Sequence, residues 1–353
     1  MKREPSISVI VPVHNGAAFL RVCLDAVAAT DYRSYECIVV DDGSTDDSET
    51  IAAEFSMPVR IVSIADGPRG PAYARNRGAE VAHGEILFFV DADVVLAPGA
   101  IRRLAMTFSE QPALAAVFGS YDATPAARGL VSQYRNLLHH FVHQNGNPDA
   151  STFWAGCGGI RREIFERLGG FDARNFPRPS IEDIELGYRL KAIGCLILLD
   201  KELQATHLKH WTFSSMIRTD VVCRAVPWSR LILQTKNLPD DLNLKLGHRA
   251  SFVLVALASV FLVMSAVHLE WIGASSAAVL GVVGLNRNLY RFFFRQRGGV
   301  FAAGCVALHL LYYLYSGLSY CYVWAENQLN KRATLRPIAA VKSAARSILS
   351  VRS

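Results

Sequence analysis

Apolar and polar positions fall into blocks of two kinds along the first hundred residues. Short apolar runs at 8–13, 36–40, 59–64 and 86–90 read as strands, and 17–29, 46–55 and 72–82 carry apolar residues at helical spacing between them. This alternation predicts a parallel sheet with covering helices, in which ligands bind beyond the carboxyl ends of the strands. The polar segments at those ends, HNG, DDGSTDDS and DAD, then share one edge, where the chemistry is expected.

The pattern loosens over 100–180, which holds a helical stretch near 101–108, an aromatic and histidine-rich stretch at 134–143 and the glycine-rich turn AGCGG. A further helix is predicted over 181–192. Residues 211–233 have apolar side chains at helical spacing with Arg218, Arg224 and Arg230 interspersed, a pattern shared by a helix lying on a bilayer and by a partly buried ordinary helix. Beyond 248 the chain becomes mostly apolar. The stretch 250–269 has no charge and is long enough to span hydrocarbon. A shorter one, 271–286, meets Asn286 and Arg287, and 300–324 ends in tyrosines and Trp324. Three transmembrane helices are therefore expected within 249–326. They follow a globular domain over 1–210 and an interfacial connector over 211–248, and a basic tail occupies 327–353.

Composition changes this picture in three ways. At 353 residues and 51% hydrophobic content the chain can bury a full core. Its net charge of +6 is concentrated in the arginine connector 287–297 and the tail, which matches anionic lipid headgroups rather than nucleic acid. The seven cysteines are scattered with no C-x-x-C pair, so neither a disulfide framework nor a zinc site is indicated. Pro12, His14 and Asn15 interrupt the first apolar run too early for a signal peptide, which predicts a cytoplasmic N-terminal domain.

Five motifs carry candidate chemistry. In DDGSTDDS, Gly43 allows a tight turn into a helix that Ser44 or Thr45 can cap, and Asp41 or Asp42 can hydrogen-bond a nucleotide base or ribose. VPVHN, with Pro12, Val13 and Asn15, lies at the neighbouring strand end. GPRGPAYARNRG puts Pro71 at a helix start with Arg75 and Arg77 in its first turns. Cations gain nothing from that end of the helix dipole, so these arginines are expected to face an anion such as a diphosphate.

VDADVVL ends a strand on Asp91 and Asp93. Carboxylates at spacing two can converge on a divalent cation, Mg²⁺ or Mn²⁺, which binds through one or two carboxylates plus phosphate oxygens. In PSIEDIELGYRL, Ser180 with Asp183 reads as a capping box and Glu185 with Arg189 as a helical ion pair. Glu182 and Asp183 lie about 100° apart on the helix, so one of the two can act as general base. THLKHW offers His207 or His210 to the metal shell and Lys209 to leaving-group charge.

Taken together, VIVPVHN, VVDDGSTDDS, ARNRG with VDADVVL, AGCGGIRREIFERLGGFD and IEDIELGYRL resemble the family 2 glycosyltransferases over roughly residues 6–210. The resemblance implies an α/β GT-A fold, a Rossmann-like mixed sheet with covering helices, and inverting transfer from a nucleotide-diphosphate sugar. It implies that Asp41 or Asp42 holds the base, Asp91 the ribose and Asp93 the metal, that Asp183 deprotonates the acceptor, and that Gly156, Gly158 and Trp211 lie on the acceptor side. Processive synthases of the family carry Q-x-x-R-W where this chain reads HLKHW, which argues against polymerisation. Polyprenyl-phosphate sugar transferases also carry membrane helices after the catalytic domain, but an ionised phosphate acceptor needs no base. The Glu182–Asp183 pair therefore favours a hydroxyl acceptor, lipid-linked or on a cell-envelope glycan, at the inner membrane. The competing classes are a catalytically silent sugar-nucleotide-binding scaffold and a nucleotidyltransferase. Against the latter stands the lack of a lysine-containing, glycine-rich phosphate loop after the first strand.

Overall fold

The computed structural model describes residues 4–55 and 59–329. They form two compact units. One comprises the chain up to Ala127 together with His143–Lys209, and the other comprises Arg128–Val142 together with the chain from His210 onward. The segment 128–142, counted by sequence with the globular domain, thus belongs to the second unit.

In the first unit β1 (Ile7–Val13), α1 (Ala17–Ala28), β2 (Tyr35–Asp41), α2 (Ser48–Ala53), β3 (Val59–Ser63), α3 (Pro71–Glu80) and β4 (Ile86–Val90) follow the anticipated alternation. Leu20, Cys23, Leu24 and Val27 put one face of α1 into the core, each large apolar side chain contributing roughly 1.5–3 kcal/mol. Strands β3, β2, β1 and β4 are parallel neighbours in that order. Pro12, with no N–H to give, stands past the last β1–β4 pair, Ile10 with Phe89.

The rest of the unit is β5 (Val94–Leu96), α4 (Ala100–Glu110), β6 (Leu114–Tyr121), the end of α5 (Leu130–Gln144), β7 (Cys157–Arg161), α6 (Arg162–Arg167), α7 (Glu182–Ala192) and β8 (Leu196–His207). The eight-stranded sheet runs β3-β2-β1-β4-β7-β6-β8-β5. Strand β7 is antiparallel to β4 and β6, so the sheet is mixed, as the GT-A resemblance implies, although the first four strands are parallel. The glycine-rich turn is in part this strand. Gly158 is in it because a Cβ would lie 2.2 Å from the Trp154 carbonyl oxygen, and a Cβ on Gly159 would meet Leu104 at 2.8 Å.

In the second unit the 211–233 pattern is an uninterrupted helical run that changes pitch in its middle: α8 (Phe213–Arg218), a π-helical stretch Thr219–Ala225 and α9 (Val226–Thr235), with right-handed helical backbone at both junctions. Thr212 and Ser215 form a reciprocal capping box that starts α8. Asp220, in the π-helical stretch, pairs with Arg135 of α5 at 2.7 Å and accepts from the Tyr315 hydroxyl at 2.6 Å, a buried charge pair that ties α5 to this unit.

Helices α10 (Leu246–Met264), α11 (Trp271–Leu285) and α12 (Arg287–Leu329) follow. Only α10 and α12 are long and apolar enough to cross a bilayer; at 15 residues α11 falls short, which lowers the expected three spans to two candidates among the described residues. Gly298, at φ +82°, kinks α12 at the end of the arginine-rich connector. The tail beyond Leu329 lies outside the described residues.

Candidate active site

The ends of β1 and β2 are laced together by their own polar residues. Asn15, in the left-handed region at φ +52°, accepts at Oδ1 from the Thr45 N–H (2.8 Å), and its N–H donates to Ser44 Oγ (2.9 Å). Ser44 and Thr45 therefore brace the β1 loop and do not cap α2, which begins at Ser48 with no side-chain cap. Asp41 accepts from the Ser44 N–H at 3.3 Å. Asp42 accepts from the Arg69 and Gly70 N–H groups at 2.8 and 2.7 Å, which fixes the loop ahead of α3. Both aspartates are buried, and Val13 lies opposite Asp41 in the β1–β2 ladder.

Arg75 does not await a phosphate. It is 5% exposed, and its guanidinium donates to Glu182 Oε1 at 2.8 Å and to Asp91 Oδ1 at 2.7 Å. The anion it faces is a pair of protein carboxylates, joined from elements that are distant in sequence. Arg77, two residues on, is turned to the surface, where it pairs with Glu80. The expectation that both arginines hold a diphosphate is corrected for this reason.

Asp91 and Asp93 do not converge. Strand β4 stops at Val90, and a turn closed by Val94 N–H donating to Asp91 O (2.9 Å) rotates the chain between the two carboxylates. Asp91 goes to Arg75. Asp93 goes to His207, whose Nε2 is 3.4 Å from Asp93 Oδ2. The β5–β8 ladder pairs Val94 with His207 and brings the histidine there, and its ring stacks on Tyr121 with centroids 4.5 Å apart. Burial pushes the Asp93 carboxyl up, but hydrogen bonding and charge from His207 and the charge of Lys209 outweigh it and hold the carboxyl below its usual range.

No cluster of three or more His, Cys, Asp or Glu poised for a metal occurs among the described residues, so the expected trio of Asp91, Asp93 and His207 reduces to Asp93 with His207. Two such ligands fit a hard cation that takes its remaining oxygens from a phosphate substrate and water.

At the N-terminus of α7 the two acids separate. Glu182 is buried against Arg75 and accepts from the Ser180 N–H at 3.0 Å, so both of its carboxylate oxygens are engaged within the protein. The Ser180–Asp183 capping box does not form, because Ile181 is the cap residue and makes no side-chain bond. Asp183 instead accepts from the Ala155 N–H (3.1 Å) and the Ile184 N–H (2.8 Å). Desolvation, then the neighbouring Glu182 charge, push its carboxyl up to about 7.

Gly156, next to Ala155, accepts at its carbonyl from the Asp91 N–H at 3.2 Å. One short loop thus joins the base candidate to the Asp-x-Asp turn. A Cβ on Gly156 would overlap the Trp154 indole at 2.6 Å, so glycine is what lets that ring lie against the loop, edge-on to Tyr121. Sequence reasoning missed Trp154 and Tyr121; neither carries charge nor falls in a motif. Trp211 belongs to the second unit, where its N–H donates to Ser132 Oγ at 2.7 Å.

Residues 8–169 match the family model described as glycosyl transferase family 2. The first unit carries a family 2 glycosyltransferase domain. Glycosyltransferase GlyA of Streptococcus pneumoniae is 38% identical over 151 residues, 42% of this chain and 21% of that protein. The probable glycosyltransferase YdaM of Bacillus subtilis is 28% identical over 207 residues, 55% of this chain and 48% of that one. The chain therefore spans about half or less of these two relatives.

A solved structure, the mannosyltransferase PcManGT from Pyrobaculum calidifontis in complex with GDP-Man and Mn²⁺, superposes with a TM-score of 0.55 at 18% identity, covering 94% of this chain and 88% of that one. That likeness is one of fold, and the glycosyltransferase domain shares the mixed α/β sheet of such enzymes.

Proposed function

We propose that the protein is a metal-dependent, inverting glycosyltransferase that moves a sugar from a nucleotide diphosphate to a hydroxyl acceptor at a membrane surface. The observation that carries this reading is the link from Asp183 through Ala155 and Gly156 to Asp91, in the turn that also holds Asp93. A base for the acceptor and the turn that carries Asp93, a ligand for the cation on the departing diphosphate, are thereby held by a single loop. The neighbouring mannosyltransferase was solved with a nucleotide sugar and Mn²⁺, which supports the same donor class and a divalent cation here.

The residues divide the work. Asp183 takes the proton from the acceptor hydroxyl as its oxygen bonds to the anomeric carbon, and the bond from that carbon to the diphosphate oxygen breaks on the opposite side, inverting the centre. Asp93 and His207 hold the cation, Mg²⁺ or Mn²⁺, which when bound neutralises charge developing on the leaving diphosphate. Lys209, beside Asp93, adds to that field. Arg75 keeps Asp91 and Glu182 in place, and Asp41, beside the Ser44 turn, faces the nucleoside. Membrane attachment through α10 and α12 is supported by their length and by exposed apolar side chains such as Val253, Val260 and Leu318. The acceptor is accordingly drawn from lipid-linked or envelope glycans.

The test is nucleoside diphosphate release by the membrane-embedded protein across a panel of sugar nucleotides, with and without Mn²⁺ or Mg²⁺. Asp93→Ala is expected to lose metal stimulation and to slow release by at least about 100-fold, the size of several kcal/mol of transition-state charge stabilisation. Metal-independent release at the wild-type rate by that variant would sink the proposal.

A further inference from the structure

Two loops of the first unit enclose an open cleft of about 590 Å³ whose lining includes Pro68, Arg69, Tyr73, Arg174, Pro177 and Arg178. That volume is in the range of small-ligand sites. None of the mechanistic roles above uses it.

Its walls are fixed rather than floppy. The Asp42 carboxylate holds one loop by the Arg69 and Gly70 N–H groups. Gly70, at φ +90°, lies so near the other loop that a Cβ would be 2.5 Å from the Pro177 carbonyl oxygen. Asn76 clamps the start of the second loop, donating to Phe171 O at 2.8 Å and accepting from its N–H at 2.9 Å. The Arg69 guanidinium lies 4.0 Å over the Tyr73 ring, which holds its charge against the cleft.

Arg69, Arg174 and Arg178 are exposed and all line this one cleft, which collects three positive charges at its rim. Among the described residues no carboxylate pairs with Arg69, Arg174 or Arg178, so a ligand meets no internal competitor for them; Arg21 and Arg102 of the same unit do have acidic partners. We propose that this cleft is a subsite for a phosphate or diphosphate group of a substrate, gripped by Arg69, Arg174 and Arg178. Arginine forks match phosphate oxygens in pairs, and the fixed walls spare the cost of ordering the loops. The second loop runs on to Ser180, whose N–H donates to Glu182, so an occupied cleft is connected to the helix that bears Asp183.

The assignment of that group to a transfer substrate rests on the proposed glycosyltransferase reaction; the phosphate chemistry of the cleft does not. Two sources carry it: the donor's nucleoside diphosphate, or a phosphate borne by the acceptor near its reacting hydroxyl.

The probe is inorganic pyrophosphate, titrated calorimetrically into the full chain in detergent without divalent metal. Wild type is expected to bind it, more weakly at high salt. Arg174→Gln/Arg178→Gln should lose at least about tenfold in affinity, as expected for charge-assisted hydrogen bonds. An Arg21→Gln/Arg102→Gln control, which removes the same charge from surface ion pairs elsewhere, should bind as wild type does.

A nucleoside diphosphate that displaces pyrophosphate, together with a raised donor KM in the cleft variant, assigns the group to the donor. Simultaneous binding with a raised acceptor KM assigns it to the acceptor. No binding by wild type, or equal affinity in the cleft variant, overturns the subsite. Pyrophosphate binding that depends on Arg174 and Arg178 in a protein that turns over no sugar nucleotide leaves the subsite standing and removes the transferase reading instead.

Discussion

Asp183→Asn is expected to slow transfer by about 10²- to 10⁴-fold, the usual contribution of a positioned general base, while the protein remains folded and becomes more heat-stable at neutral and alkaline pH. Both effects come from one environment. The Asp183 carboxyl is pushed up to about 7 by desolvation and by Glu182, above its value in an unfolded chain, so the folded protein binds the extra proton between roughly pH 4 and 7. Stability therefore falls as pH rises through that window, because ionisation charges a site that disfavours it. Asparagine carries no charge and keeps one acceptor oxygen, so it gives up one of the two bonds that separate carboxylate oxygens accept from the Ala155 and Ile184 N–H groups, a smaller loss than the relief of the buried charge.

Melting curves of both proteins at pH 5 and pH 8 should show the variant's advantage only at the higher pH. Wild-type turnover should rise with pH and level off above about 7, when the base is ionised. Turnover that survived the substitution would point to an acceptor that arrives already ionised, such as a lipid phosphate, and would remove the need for a base.

Arg75→Met has the other large expected effect, a loss of roughly 3–5 kcal/mol, the range seen when one partner of a buried ion pair is removed. Arg75 and Glu182 have side chains only 6% exposed, and Asp91 is the third member, so the substitution strands two carboxylates with no counter-charge between them. Arg75→Lys should recover only part of the loss, since a single ammonium cannot make the two divergent bonds that the guanidinium makes. Because the chain has two units, calorimetry should show one unfolding transition shifted downward while any other holds. No shifted transition in Arg75→Met would mean the triad does not support the domain.

The sheet's first half was legible because β1, β2, β3 and β4 are apolar runs that end abruptly in polar motifs. The second half was not. Strand β8 mixes Asp200, Lys201, Glu202 and Gln204 into its length, and two of the five residues of β7 are glycines where neighbouring backbone and side chains leave no room for a Cβ. Within the candidate site, residue types were readable and partners were not. Local spacing placed Asp91 with Asp93 and offered a choice between Glu182 and Asp183. That choice was decided by Arg75, which lies 107 positions from Glu182 in the chain, and no periodicity encodes such a contact. The turn at Asp91–Val94, which splits the aspartate pair, is equally invisible to a rule that assumes the strand continues.

The chain leaves the first unit at residue 128, returns at 143 and leaves again at 210. Neither unit is therefore a contiguous stretch that one cut can release. Truncation after Lys209, the obvious way to free the catalytic part from its apolar helices, would keep 128–142 and delete what it packs on: Asp220, partner of Arg135, and Phe293, whose ring centroid is 6.0 Å from that of Tyr134. The fragment would carry an orphaned helix with a buried arginine laid bare. A soluble catalytic fragment needs that helix excised or resurfaced together with the C-terminal cut.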